Sequence, residues 1–238
     1  MRTAYTVFRN LYNVRKMTMK LVLASGSQRR RELLTMCGYD YEIIVSNADE
    51  TIDESDPESF VRALSFRKAK DVFDRLSAAG RRDFAVIGSD TVVAFQKEGG
   101  TKPVIIGKPK DAKDAVRILS MLSGKTHRVF TGVSVIADIP DENATAQCSI
   151  RKKEEIQTEC SITEVTFETL SPDEITDYVN SGDPLDKAGS YGIQGPFGMF
   201  VREIRGNYFT VIGMPIPVLY KMLKKIGILP HGFYERIE

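Results

Sequence analysis

The stretch LVLASGSQRRRELL, from Leu21 to Leu34, reads as a strand, a turn and the start of a helix. Leu21 to Ala24 is a short apolar run fit for a buried strand, and Ser25-Gly26-Ser27 is a small-residue turn. Gln28 to Cys37 continues as a helix that Gly38 is placed to end. Such a turn leaves the first backbone N–H groups of the helix unpaired, at the positive end of its dipole. Ser25 and Ser27 add hydroxyls, and Arg29, Arg30 and Arg31 crowd the first turn. Cations are disfavoured at a helix N-terminus, so stacking three there makes sense where an anion binds. The competing reading is a solvated helix start whose arginines reach Glu32 or the acidic loop that follows.

Outward from this unit, apolar runs and amphipathic stretches alternate, the pattern of an α/β domain. Tyr39 to Val45 is strand-like, and Ser46 to Ser59 is an acidic loop. A long helix starts at Pro57 behind a Ser55 or Asp56 cap, with Val61, Leu64, Ala69, Val72, Phe73 and Leu76 as its apolar stripe. Phe84 to Ile87 and Thr91 to Phe95 read as two strands separated by Gly88-Ser89-Asp90, and Lys97 to Lys102 as a hairpin turn. Ala112 to Leu122 is helical. Thr126 to Ala137 and Cys160 to Leu170 are long strands, with the polar segment Asp138 to Thr158 an exposed loop or hairpin tip between them. Ser171-Pro172-Asp173-Glu174 is a capping box, and a Gly-rich stretch runs from Gly182 to Gly198. Strands at Met199 to Ile204 and Tyr208 to Ile212 then precede a last helix, Pro215 to Ile226.

Composition narrows the class. The 238 residues are 42% apolar and 27% charged, which fits a globular protein and excludes a disordered or fibrous one. Three scattered cysteines make no disulfide framework and no zinc motif. No run approaches the roughly 18 apolar residues of a membrane span. The net charge of +1 hides an asymmetry: eight bases precede the first acid, Glu32, and the remainder is mildly acidic. Positive charge confined to a leader does not describe a nucleic-acid-coating face. Residues 1–19 are read as a basic leader, disordered or targeting, ahead of one domain at 20–238. The expected location is cytoplasmic, or mitochondrial where the leader is a transit peptide.

Three further groups carry possible chemistry. Asp90 lies between two apolar strands, and Mg²⁺ sites on phosphates commonly use one or two carboxylates, with Glu50 a candidate second. Taken alone, Asp90 reads better as a turn residue bonding its own backbone, and Glu50 as a solvated loop acid. Lys68, Lys108 and Lys187 stand beside structure breakers or within a helix, where each is otherwise an ordinary surface lysine. In Tyr191-Gly192-Ile193-Gln194-Gly195 the Gln194 amide is placed to face a planar base, or the segment is a plain Gly-rich turn. Gly124-Lys125-Thr126 is not a Walker loop, since Leu119 stands where its first glycine belongs.

Together, LVLASGSQRRRELL, GSDTVV, GKPKDAKDAVRILSMLSGKTHRVFTGV, DPLDKAGSYGIQG and GNYFTVIGMP resemble the Maf family of nucleoside triphosphate pyrophosphatases, in family order from about Leu21 to Leu229. The resemblance implies a bilobed α/β fold like that of inosine triphosphate pyrophosphatases: a twisted mixed sheet, flanking helices and a central cleft. It implies hydrolysis of the α–β phosphoanhydride to a nucleoside monophosphate and pyrophosphate, with a divalent cation, Mg²⁺ or Mn²⁺. By the family pattern Asp90 is the acidic catalytic residue, acting as base, and shares the metal with Glu50. Ser25, Arg29, Arg30, Lys68 and Lys108 fall at phosphate-holding positions. Arg29, Thr91 and Gln194 match the branch that resembles dTTP and UTP pyrophosphatases, whereas the 7-methyl-GTP branch tends to an aromatic, a Gln and a Glu there. The implied partners are the nucleotide and a second copy in a homodimer, with no nucleic acid and no membrane. Gln28 departs from the family's usual proline, and the segments 96–106 and 138–158 are longer than its compact pattern. A reading of another class is a nucleotide-binding regulator of cell division that acts through a partner. The combined presence of Asp90, Glu50, Lys68 and Lys108 argues against it, because a pure sensor has less need of a base and a metal site together.

Overall fold

The structure, a computed structural model, describes residues 19–96, 99–100, 102–139 and 153–231. In chain order the elements are β1 (Lys20–Leu23), α1 (Gln28–Met36), β2 (Tyr41–Ile43), α2 (Pro57–Ala78), β3 (Phe84–Phe95), β4 (Val104–Ile106), α3 (Ala112–Leu122), β5 (Thr126–Ile139), β6 (Lys153–Phe167), α4 (Pro172–Asn180), β7 (Val201–Arg205), α5 (Tyr208–Ile212) and α6 (Ile216–Lys225). Three short 3₁₀ turns lie between α4 and β7. The sheet order is β2-β1-β3-β5-β6-β7, with β4 also on β3. β1 runs parallel to β2 and β3, and the other pairs are antiparallel, giving the expected mixed sheet. The leader positions 1–18 lie outside the described residues, and Met19 is buried in a core cluster.

Helices cover both faces of the sheet. On one face α2 packs over Phe84, Val86, Val92, Ala94 and Phe130. On the other, two separate apolar clusters form the two lobes. One joins α1 and α6 to Leu21, Leu23, Ala85 and Ile87; the second joins α3 and α4 to Val93, Phe95, Val129 and Phe167. Local sequence explains several boundaries. Asp56 caps α2 by accepting from the Ser59 N–H, and Pro57 costs no hydrogen bond at the first position. The Ser171/Glu174 capping box forms as expected.

Two expectations are corrected, and one open alternative is decided. Gly88-Ser89-Asp90 is not a turn: β3 runs unbroken from Phe84 to Phe95, paired with β5 from Ala85↔Ala137 to Ala94↔Arg128. Gly88 is there because α2 crosses it, and an added Cβ would lie 2.1 Å from the Ser65 carbonyl oxygen. Gly132, opposite Asp90 on β5, meets the Val61 carbonyl in the same way. Tyr208–Ile212 is not a strand but one turn of helix. The Asn207 side chain accepts from the Phe209 N–H at its start, and Gly213, at φ 110°, ends it. Its aromatic and β-branched residues favour a strand, and the caps override them. Of the two readings of the polar segment 138–158, the hairpin is the one observed: β5 continues to Ile139 and pairs with β6 from Lys153 onward. The remainder of it, 140–152, lies outside the described residues.

Candidate functional site

β3 changes partners midway. Its outer edge pairs with β1 only as far as Leu23↔Ile87, and with β4 only from Val93↔Ile106 onward. Residues 88–92 therefore face an open notch between the two lobes. Successive strand residues point to opposite faces, yet at a notch both have access to one space. Asp90, on the α2 face, and Thr91, on the other, both line a cavity of about 750 Å³.

The nine residues that the family resemblance assigns to the site all line this cavity: Ser25, Arg29, Arg30, Glu50, Lys68, Asp90, Thr91, Lys108 and Gln194. On the α2 side, Lys68 Nζ sits 2.7 Å from Asp90 Oδ1 and 2.9 Å from Glu50 Oε1. The Lys68 and Asp90 side chains are only 12% and 13% exposed, whereas Glu50 is 66% exposed. One acid is thus set in the wall and the other stands at the solvent edge. Two carboxylates converging on one ammonium are arranged to share a cation, and their oxygens suit a hard divalent ion completed by water and phosphate. No group of three or more His, Cys, Asp or Glu able to hold a metal occurs among the described residues.

Across the notch, α1 begins with no side-chain cap and no acid in its first turn, leaving its N–H groups directed at the cavity. Arg30 is gripped on three sides. Its Nε donates to the Gly213 carbonyl at 2.9 Å, Nη1 to Ser25 Oγ at 3.0 Å and Nη2 to Thr91 Oγ1 at 3.4 Å. Thr91 is braced by Thr131, whose hydroxyl donates to the Thr210 carbonyl at 2.7 Å. Burial lowers the Arg30 pKa and neighbouring Arg29 adds to this, with Asp90 and Glu50 opposing. A guanidinium remains charged regardless, so Arg30 presents a fixed positive charge whose hydrogen-bond partners are all neutral. Neither arginine reaches Glu32: Arg29 Nη1 lies 3.5 Å from Asp186 on the opposite lobe, and Glu32 pairs with Gln28. Arg31 does not line the cavity.

Lys108 and Gln194 complete the rim from exposed positions, and the Gly107 carbonyl accepts from the Gly189 N–H at 3.0 Å, tying their two loops together. Lys187, an isolated lysine in the sequence with no family role assigned to it, and Asp186, which no motif singles out, both line the cavity. The four-residue spacing of Asp183 and Lys187 was an available signal; the Arg29–Asp186 contact had none. His127 is buried and takes no part in the cavity. Desolvation lowers its pKa to about 3, and its ring nitrogen shares a hydrogen bond with Tyr191 at 3.0 Å.

A notch in a mixed α/β sheet, lined by fixed cations on both lobes and by a carboxylate in its floor, defines a polyphosphate-binding cleft. The chain belongs to the Maf family, whose model, described as Maf-like protein, matches residues 20–226. It is similar to the dTTP/UTP pyrophosphatase of Bacillus thuringiensis subsp. konkukian, 43% identical over 210 residues that cover 88% of this chain and 96% of that one. It is also similar to the dTTP/UTP pyrophosphatase of Agathobacter rectalis, 39% identical over 217 residues covering 88% and 98%. The Ham1 protein of Staphylococcus aureus gives a distant structural match, with a TM-score of 0.42, 14% identity and coverage of 86% and 98%.

Proposed function

We propose that this chain is a nucleoside triphosphate pyrophosphatase that hydrolyses dTTP and UTP to the monophosphate and pyrophosphate. The observation that carries the reading is the Asp90–Lys68–Glu50 cluster facing Arg30 and the uncapped start of α1 across one cavity. The triphosphate lies between the lobes, with Arg29, Arg30, Ser25, Lys68 and Lys108 on its oxygens. Asp90 accepts a proton from water as that oxygen bonds the α-phosphorus; the α–β bridge breaks and pyrophosphate leaves with the electron pair. The cations that hold the ground state also meet the charge gathering on the phosphoryl oxygens, in a site already organised for it. A divalent cation, Mg²⁺ or Mn²⁺, held by Asp90 and Glu50, supplies further charge stabilisation when bound.

At the far end Gln194 faces the base. An amide both donates and accepts, which matches the N3–H and carbonyl edge of uracil or thymine, whereas a carboxylate only accepts. The test is pyrophosphate release from a panel of nucleoside triphosphates with Mg²⁺ or Mn²⁺. The expected result is turnover strongest on dTTP and UTP. Gln194→Glu should lower kcat/KM on these two by on the order of 10-fold to 100-fold more than on purine nucleotides. An equal loss across all bases removes the base-reading role.

Arg30→Lys keeps the charge but loses the fork that joins Gly213, Ser25 and Thr91. It should cut kcat/KM for every nucleotide alike by ~10²-fold, with no change in base preference. Steady-state kinetics on the same panel checks this, and a base-selective loss would place Arg30 elsewhere in the reaction.

A further inference from the structure

We infer that Asp183, Tyr178 and Lys187 are positioning residues that set base selectivity by fixing the loop Gly192–Gln194 against the cavity. The inference rests on the base-reading role proposed for Gln194. Gln194 itself is exposed, and its placement depends on what holds the chain beneath it.

That support is specific. The Tyr178 hydroxyl, on α4, accepts from the Gly192 N–H at 3.1 Å and donates to Asp183 Oδ2. Lys187 Nζ stands 3.0 Å from Asp183 Oδ1 and 2.7 Å from Asp186 Oδ1, and also donates to the Asp183 carbonyl. Its three N–H donors are thus satisfied within its own loop, which makes it a brace rather than a free phosphate ligand. Its side chain runs directly under Gly192: a Cβ there would lie 2.6 Å from Lys187 Cε and 3.2 Å from Asp183 Oδ2. The next turn closes with the Gly195 N–H on the Gly192 carbonyl at 3.2 Å. On the other side Tyr191 is buried and bonded to His127. Ile193 and Gln194 lie between these fixed points, and both line the cavity. Burial and the bond to Asp183 raise the Tyr178 pKa, so its hydroxyl keeps its proton and its donor role at ordinary pH.

The geometry gives each member a separable effect. Tyr178→Phe keeps the ring on Phe197, whose centroid is 4.8 Å away, while leaving the Gly192 N–H and Asp183 Oδ2 without a partner. A loop released by about an ångström no longer holds the Gln194 amide at a pyrimidine edge, and it admits the larger purines. The phosphate cradle on α1 and the Asp90 cluster make no contact through Tyr178 and stay in place.

The experiment measures kcat and KM for UTP and GTP, and calorimetric binding of UMP and GMP, in the wild type, Tyr178→Phe, Asp183→Asn and Asp183→Glu. The expected result is a fall of about tenfold in the UTP:GTP ratio of kcat/KM and in the UMP:GMP affinity ratio for Tyr178→Phe and Asp183→Asn. The change should appear in KM, with kcat on UTP within about twofold of wild type. Asp183→Glu keeps the carboxylate and should recover part of the ratio. Unchanged ratios in a wild type that does discriminate overturn the inference and leave the functional reading standing. Equal losses on both bases, with a lowered Tm, assign the three residues a merely structural role and also overturn it. A wild type without turnover or base preference removes the functional reading, and the inference with it.

Discussion

Asp90→Asn is expected to lower turnover on dTTP by about 10³-fold or more while leaving the fold intact. An amide cannot accept the proton of the attacking water, and it is a poor partner for a divalent cation. The neighbours decide why folding should survive. Removing one partner of a well-buried ion pair costs about 3–5 kcal/mol when the other charge is left alone. Lys68 is not left alone, because Glu50 Oε1 is also within 2.9 Å and reaches solvent. The expected loss of stability is therefore no more than ~2 kcal/mol, visible as a small shift in Tm. Thermal unfolding and steady-state kinetics on the same preparation separate the two effects. Substantial activity in a folded Asp90→Asn protein would sink the assignment of Asp90 as base. Glu50→Gln should also lower activity, with a still smaller effect on stability, because its carboxylate is mostly in water.

Gly88→Ala is expected to destabilise the protein by at least ~3 kcal/mol, about 10 °C in Tm for a chain of this size. The new methyl would lie 2.1 Å from the Ser65 carbonyl oxygen and 2.7 Å from the Ala69 backbone nitrogen, and neither can swing aside as a flexible side-chain tip would. Relief requires α2 to lift off β3. That helix also carries Lys68, so whatever folded fraction remains should lose the Lys68–Asp90 contact and with it much of the activity. Gly132→Ala should behave alike, since its methyl would meet the Val61 carbonyl oxygen at 2.1 Å. Gly107→Ala is the control: nothing lies within 4 Å of its added Cβ, and its stability should change by less than about 1 kcal/mol. A Gly88→Ala protein as stable as wild type would mean that α2 does not sit on the sheet at this point.

These two glycines mark the limit of what the sequence discloses. The uncapped, arginine-rich start of α1 is legible in the sequence because every part of it is local: strand, small-residue turn, arginines, and Gly38 to end the helix. The capping box at Ser171 was legible for the same reason. Gly88-Ser89-Asp90 has turn composition, and what keeps it extended is the crossing of α2, a contact with Ser65 and Ala69 that no local pattern discloses. Tyr208 to Ile212 carries strand-forming residues, but Asn207 and Gly213 close it into a helical turn. That turn matters to the site, because it brings the Gly213 carbonyl to Arg30 and the Thr210 carbonyl to Thr131. The motifs named nine cavity residues in advance; their arrangement depended on where β3 exchanges β1 for β4, which is a property of the whole sheet. The Asp183–Lys187 pair has a four-residue spacing in the sequence, but its contact with Tyr178 and Gly192 and the Arg29–Asp186 contact between lobes are visible only with the fold.

The most direct test of the account follows the products of dTTP hydrolysis by ³¹P nuclear magnetic resonance. With Mg²⁺ or Mn²⁺ present, the wild type should yield dTMP and pyrophosphate in equal amounts, and Asp90→Asn should leave dTTP intact over the same interval. Release of orthophosphate with dTDP, or intact dTTP with the wild type, would contradict it.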